Sequence, residues 1–145
     1  MSLELKEYQG RVLRSLRLFF RACARDGRPE SAFQSVLEAQ GREPQSYLPV
    51  SAAGLGPGLP YVCLRVPTGG GKTLLAAQAV GIALADLLRA ERGVVLWLVP
   101  SRTILDQTAD ALRDPRHSYR QALTHGGGEF PGAGAVTAPL GDVPG

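Results

Sequence analysis

Apolar residues recur at helical spacing along the first part of the chain. This spacing predicts one long amphipathic helix over residues 4–25, because steps of about 100° per residue gather the apolar side chains on one face. That face contains Tyr8, Val12, Leu13, Leu16, Phe19, Phe20 and Cys23. Gly27 and Pro29 end the helix, and a shorter helix is predicted over residues 31–40, with Ser31 as its N-cap.

The opposite face of the first predicted helix is basic. Its stripe consists of Arg11, Arg14, Arg17, Arg21 and Arg25, and Arg28 extends it. A solvated helix face explains such a stripe, and we favour this interpretation. The alternative is a surface that meets phosphate groups or an acidic patch.

A strand-like apolar run at residues 61–66 and an uninterrupted apolar run at 94–99 lie on either side of a stretch with helical composition at 74–92. Continuous apolarity is typical of strands that are covered on both faces, as in a parallel sheet. The order strand, helix, strand therefore predicts a βαβ unit with a right-handed crossover. Another helix is predicted at 104–113, with Ser101 as its cap.

A glycine-rich loop joins the first predicted strand to the next helix. Its sequence is Val66-Pro67-Thr68-Gly69-Gly70-Gly71-Lys72-Thr73. Glycines allow successive backbone N–H groups to converge on phosphate oxygens, and the following helix N-terminus adds a partial positive charge. Lys72 would reach the β- and γ-phosphates of a nucleotide, and the hydroxyl of Thr73 would ligate Mg²⁺. Val66 occupies the position where the strict motif has its first glycine. The alternative is a flexible Gly-Gly-Gly hinge before a helix, with Lys72 and Thr73 nearby by chance.

Composition limits the classes of protein to which the chain can belong. A chain of 145 residues suits about one domain, and its formal charge of +3 permits a polyanionic partner without arguing strongly for one. The charged N-terminus and the lack of a long apolar run argue against a signal peptide or a membrane span, so we expect a cytoplasmic protein. Cys23 and Cys63 fit no metal or redox spacing, and both are predicted to be buried thiols.

Three regions of different composition follow one another. Residues 1–60 hold the first helix and an insertion rich in proline and glycine, to which the sequence assigns no chemistry. Residues 61–125 form the predicted phosphate-loop core, and residues 126–145 form a Gly/Pro-rich tail that we expect to be poorly ordered.

Three stretches together resemble a known family. They are Leu5-Lys6-Glu7-Tyr8-Gln9, Pro67-Thr68-Gly69-Gly70-Gly71-Lys72-Thr73, and the run from Trp97 to Gln107 that contains Pro100-Ser101-Arg102. The chain resembles the N-terminal part of a superfamily 2 helicase or translocase of the restriction type, meaning the motor subunit of type III restriction enzymes and related DEAD/DEAH-box proteins. The resemblance implies an α/β P-loop NTPase fold, with a RecA-like parallel sheet flanked by helices. In that family the loop commonly lacks the leading glycine, so Val66 is no objection.

The resemblance also implies functional roles for individual residues. Gln9 would read adenine through its amide, and the loop from Pro67 to Thr73 would hold ATP and Mg²⁺, with Lys72 as the catalytic lysine. Ser101 and Arg102 would contact the phosphates of a DNA strand, whereas Gln107 would be structural. DNA is the expected partner of the intact protein, together with a modification or nuclease subunit or domain, and no membrane is expected.

The family also carries an Asp-Glu pair after a later strand, and no adjacent Asp-Glu occurs in this chain. Glu129 and Asp142 follow glycines and are poor substitutes. We therefore expect part of the first motor domain, with weak nucleotide binding and negligible turnover of its own. Two alternatives stay open: a P-loop kinase with a small acceptor, and a non-catalytic remnant that binds a nucleotide or a partner.

Overall fold

The fold is a set of packed helices joined by irregular segments. A computed structural model describes residues 5–50 and 54–125. The helices are α1 (Glu7–Asp26), α2 (Pro29–Ala39), α3 (Lys72–Ile82), α4 (Arg102–Arg113) and α5 (Ser118–His125). A π-helical turn, Ala83–Leu88, continues α3. The predicted Gly/Pro-rich tail at 126–145 lies outside the described residues.

The predicted parallel sheet is wrong, because the described residues contain no strand. The apolar runs at 61–66 and 94–99 carry no regular structure, and Val94, Leu96 and Leu98 are 103%, 81% and 66% exposed. Their β-branched and aliphatic composition favours strands, but a strand also requires hydrogen bonds to a neighbouring strand. Neither run makes such bonds in the part of the chain that the structure describes, so the predicted βαβ crossover is absent there as well.

Side chains from the two runs nevertheless anchor them to helices. Val62 packs against the cluster between α1 and α2, and Val66 packs against the cluster between α1 and α3. Trp97 packs against the cluster between α3 and α5. Each run is therefore held against the helices by at least one side chain.

Helix α1 follows its sequence prediction closely. Its buried side chains include Leu13, Leu16, Phe19 and Cys23, which belong to the predicted apolar face. The helix ends where Gly27 adopts a left-handed conformation (φ 64°) and donates its N–H to the Cys23 carbonyl at 2.8 Å. This arrangement satisfies a helix-terminal carbonyl in the usual way.

Helix α2 begins two residues before the predicted start. Arg28 is the N-cap residue and Pro29 occupies the first helical position, where its missing N–H costs nothing. The predicted cap, Ser31, instead donates its hydroxyl to the Arg28 carbonyl at 3.1 Å. Helix α2 packs Ala32, which is fully buried, against Phe19, Ala22 and Cys23 of α1.

Helix α3 is the centre of the fold. It packs Leu75 and Ile82 against Leu13 of α1, and Ala77 against Ala122 and Leu123 of α5. Helix α3 is therefore buried on more than one side. The predicted helix at 74–92 ends earlier, because the π-helical turn stops at Leu88 and Arg89 takes a left-handed conformation (φ 50°).

Two arginines of the basic stripe join α1 to the π-helical turn. Arg17 and Arg21 place their Nε atoms 3.2 and 3.0 Å from the carboxylate oxygens of Asp86, whose side chain is only 12% exposed. Arg11 pairs with Glu7 and Arg25 with Asp26. All the stripe arginines are exposed, as a solvated face requires, and two of them also connect neighbouring elements.

The C-terminal part of the described chain contains a predicted helix and an unpredicted one. Ser101 caps α4 as expected, because its Oγ accepts the Ile104 N–H at 3.4 Å. Helix α5 was not predicted. This short helix packs Ala122 and Leu123 against Ala77 of α3. Among the described residues, no helix combines the length and apolarity that crossing a membrane requires.

The two cysteines differ in environment. Cys23 is 5% exposed, as predicted. Cys63 is exposed, so the prediction that both thiols are buried is wrong for this residue. The reason is the absence of a sheet from the described residues, since none of them forms a strand that covers the segment containing Cys63.

Candidate phosphate-binding site

The glycine loop forms a tight turn. The N–H of Gly70 donates to the carbonyl oxygen of Pro67 at 2.9 Å, which closes a four-residue turn from Pro67 to Gly70. Gly69, the third residue of this turn, has φ 73°. A positive φ at this position is typical of a type II turn and strongly favours glycine. The Pro-Thr-Gly-Gly sequence therefore explains the turn directly.

The turn leads straight into the N-terminus of α3. Gly71 is the N-cap residue with φ 76°, and no side chain caps this end of the helix. The carbonyl of Gly71 accepts the first intrahelical bond, from the N–H of Leu75 at 3.0 Å. The N–H groups of the first turn thus have no intrahelical acceptors, and they add to the positive end of the helix dipole.

Lys72 and Thr73 occupy the first two positions of this helix. The Lys72 side chain is exposed and forms no ion pair with the described residues. Thr73 is partly buried, and its hydroxyl makes no hydrogen bond within the same part of the chain. A cation, a hydroxyl and several backbone donors therefore meet at one helix end, which suits an anion such as phosphate.

Two side chains of α1 hold the turn from the other side. The Tyr8 hydroxyl donates to the carbonyl oxygen of Gly70 at 2.8 Å, and the Gln9 Nε2 donates to the same oxygen at 2.9 Å. The Gln9 Oε1 accepts the backbone N–H of Lys6, also at 2.9 Å. Gln9 thus caps the N-terminus of α1 in the role of the N3 residue of a capping box, and the same side chain also binds the turn.

The side chain of Gln9 is held in one orientation. Only its oxygen can accept from Lys6 and only its nitrogen can donate to Gly70, so the hydrogen bonds determine the two ends of the amide. Gln9 is 5% exposed. One N–H and one lone pair of the amide stay unused by these bonds, and adenine recognition by Gln9 stays a prediction.

Close packing explains why glycines occupy positions 70 and 71 of the loop. A Cβ atom on Gly70 would lie 2.5 Å from Val66 Cγ1 and 2.7 Å from the Pro67 carbonyl oxygen. A Cβ atom on Gly71 would lie 2.6 Å from the Gln9 Nε2. Gly69 differs, since a Cβ atom there would have no neighbour within 4 Å. A side chain at residue 70 would therefore clash within the turn itself, and one at residue 71 would displace the Gln9 amide.

The predicted nucleic-acid residues lie apart from this turn. Ser101 and Arg102 are exposed at the N-terminus of α4. The Arg102 Nε lies 3.9 Å from the Asp106 Oδ2, and both side chains of this ion pair are exposed. The Ser101 Oγ caps α4. No hydrogen bond or ion pair joins either residue to the glycine turn within 5–50 and 54–125. The predicted structural residue Gln107 is exposed.

Sequence reasoning missed Tyr8 as a residue of this site. The helical pattern placed Tyr8 on the apolar face, and the structure shows its hydroxyl bonded to the glycine turn. Sequence pattern alone cannot bring residue 8 next to residue 70.

Comparison with known proteins gives one match. A family model described as "Type III restriction enzyme, res subunit" matches residues 2–130. No curated protein matches the chain, and no solved structure matches it.

Proposed function

The chain belongs to the family of the type III restriction enzyme res subunit, a family of restriction-type superfamily 2 helicases and ATPases, and from this premise we propose that it binds ATP at the glycine turn. The phosphates would lie at the N-terminus of α3, against Gly69, Gly70 and Gly71. Pro67 and Thr68 complete the turn that sets the position of these glycines.

One observation carries the proposal. The closed turn from Pro67 to Gly70 leads through the N-cap Gly71 directly into the uncapped N-terminus of α3, which begins at Lys72. Free backbone donors, a helix dipole and an exposed ammonium group all favour an anion at this point. The alternative of a freely flexible glycine hinge is less well supported, because Tyr8 and Gln9 tie the turn to α1.

The side chains would divide the recognition of ATP. Lys72 would neutralise charge on the β- and γ-phosphates, and Gln9 would use its remaining donor and acceptor on the adenine edge. The free hydroxyl of Thr73 fits as a ligand of Mg²⁺ that arrives with the nucleotide. No group of three His, Cys, Asp or Glu side chains is arranged for a metal within the described residues. Bound Mg²⁺ would offset the negative charge of the phosphate oxygens.

In the intact protein, we expect ATP hydrolysis to drive movement along DNA or the opening of its strands. Water would attack the γ-phosphorus in line as the bond to the β,γ-bridging oxygen breaks, and Lys72 would stabilise the charge that develops on the transferred group. The chain itself supplies positioning and charge, which are the main protein contributions to phosphoryl transfer.

Ser101 and Arg102 are the proposed contacts to a DNA strand. A hydroxyl and a guanidinium suit phosphate oxygens, which position a nucleic acid without reading its sequence. Both residues are exposed at a helix N-terminus, where an anion is favoured. A modification or nuclease subunit or domain is a further proposed partner, on the basis of the family alone.

The test is nucleotide binding by the 145-residue chain. Binding of a fluorescent ATP analogue with Mg²⁺ should be measured for the wild-type chain, for Lys72→Ala and for the control Arg42→Ala. Arg42 is exposed and bonds to the Leu37 carbonyl through its backbone N–H. Its side chain makes no hydrogen bond or ion pair within the described residues. The control therefore removes the same charge without touching the turn.

We expect Lys72→Ala to weaken binding about tenfold to a hundredfold, since a hydrogen bond to a charged group contributes about 1.5–3 kcal/mol. Arg42→Ala should bind as the wild-type chain does. Equal affinities of Lys72→Ala and Arg42→Ala, or a wild-type chain that binds no nucleotide, would refute the proposal.

A further inference from the structure

The carbonyl oxygen of Gly70 receives two hydrogen bonds from α1. The Tyr8 hydroxyl lies 2.8 Å from it and the Gln9 Nε2 lies 2.9 Å from it. A carbonyl oxygen has two lone pairs, so both are used. Gly70 is buried, and such complete pairing is what a buried polar atom requires.

We propose that Tyr8 is a positioning residue of the phosphate-binding turn. Its hydroxyl holds the Gly70 carbonyl against α1 and so maintains the turn in the conformation that accepts phosphate. This inference rests on the proposed function, because it concerns the same turn. It adds a residue with a role separate from that of Gln9.

The local geometry makes Gly70 the point at which the turn is held. Its N–H closes the turn on the Pro67 carbonyl at 2.9 Å, and its own carbonyl is bonded to α1. Val66 and Pro67 leave no room for a side chain at this residue. A change at the Gly70 carbonyl therefore moves the peptide that leads into Gly71 and the N-terminus of α3.

Electrostatics favours the same role. A carbonyl oxygen carries partial negative charge, and an uncovered one beside a phosphate would repel it. Two donors on the Gly70 oxygen reduce this repulsion in a partly buried setting, where the effective dielectric is low. The contribution should therefore depend on the phosphates of the ligand and not on its base.

Tyr8 and Gln9 can be distinguished by this difference. The Gln9 amide retains a donor and an acceptor for a purine edge, whereas the bond from Tyr8 holds only the backbone of the turn. Loss of the Tyr8 hydroxyl should weaken ATP, GTP and inorganic triphosphate by the same factor. Loss of the Gln9 amide should weaken ATP more than inorganic triphosphate.

The experiment compares Tyr8→Phe with the matched control Tyr47→Phe in the whole chain. The Tyr47 hydroxyl also bonds to a backbone group, since it accepts the Tyr61 N–H at 2.9 Å. Both variants keep the aromatic ring and lose one hydrogen bond between a hydroxyl and the backbone. Competition of ATP, GTP and inorganic triphosphate with a fluorescent nucleotide gives the affinities, and thermal unfolding confirms that each variant is folded.

Tyr8→Phe should bind all three competitors about threefold to tenfold more weakly than the wild-type chain, the range that one hydrogen bond supplies. Tyr47→Phe should bind them as the wild-type chain does. Hydrogen exchange provides a second readout, because the Gly70 N–H is bonded to the Pro67 carbonyl. Its exchange rate should rise in Tyr8→Phe and stay as in the wild-type chain in Tyr47→Phe.

Unchanged affinities and unchanged exchange in Tyr8→Phe would overturn the inference, as would a loss confined to ATP. Equal losses in Tyr8→Phe and Tyr47→Phe would also overturn it, because they would indicate general destabilisation. Failure here is distinguishable from failure of the proposed function, which Lys72→Ala and Arg42→Ala test independently.

Discussion

Replacing Gly71 by alanine is the sharpest perturbation of the contact between the glycine turn and α1. Gly71 has φ 76°, a conformation that L residues with a side chain adopt at a cost. The added Cβ would also lie 2.6 Å from the Gln9 Nε2, so the amide must move. Moving that amide breaks its bond to the Gly70 carbonyl.

The magnitude follows from these two effects. The left-handed conformation costs about 1–2 kcal/mol for a residue with a Cβ. Loss of the Gln9 bond adds about 1–2 kcal/mol, because Gln9 is 5% exposed and its donor is left without a partner. The free energy of unfolding should therefore fall by about 2–4 kcal/mol. At about 3–4 °C per kcal/mol for a chain of this size, the Tm should fall by about 6–16 °C.

The matched control is Gly69→Ala. Gly69 has a similar conformation (φ 73°), but no atom lies within 4 Å of an added Cβ. Thermal and urea unfolding followed by far-UV circular dichroism should show a loss of only about 1–2 kcal/mol for Gly69→Ala. The difference between the two variants measures the contact with Gln9 alone.

A double-mutant cycle completes the test. In the Gln9→Ala background the clash is absent, so Gly71→Ala should cost only its backbone term, about 1–2 kcal/mol. Additive effects of Gly71→Ala and Gln9→Ala would refute the reasoning. Equal losses for Gly71→Ala and Gly69→Ala would refute it as well.

Three further predictions concern other parts of the chain. Arg102→Ala should weaken binding of single-stranded DNA equally for all sequences, and the slope of log K against log salt concentration should become less steep by about 0.7. Arg113→Ala, at the other end of α4 and also paired with an aspartate, should change neither the affinity nor the slope. Equal effects of the two variants in fluorescence anisotropy would contradict this prediction. Burial, aided by the charge of Asp26, raises the pKa of the Cys23 thiol from 9.0 to about 11, so iodoacetamide at about pH 8 should label exposed Cys63 and spare Cys23. Because this pKa is higher in the folded chain than in the unfolded chain, the free energy of unfolding should fall as the pH rises from 9.0 to about 11. Mass spectrometry of the labelled peptides checks the prediction for iodoacetamide, and labelling of Cys23 as fast as Cys63 would contradict it.

Local patterns in the sequence determined α1, the cap of α4 and the glycine turn. The apolar spacing predicted α1 and its buried face, and the Ser101 cap located the start of α4. These features depend on residues only a few positions apart, through helical periodicity and capping bonds. The turn at Gly69 also follows from its immediate neighbours, since a positive φ favours glycine.

Tertiary structure decided the features that depend on distant partners. The apolar runs at 61–66 and 94–99 have strand composition, but composition cannot supply the neighbouring strand, and the described residues form no sheet. The bonding of Gly70 to Tyr8 and Gln9 was likewise decided there, because packing of α1 against α3 brings residues 8 and 70 together. The sequence alone predicted a phosphate-binding loop, and the fold determined which side chains hold it in place.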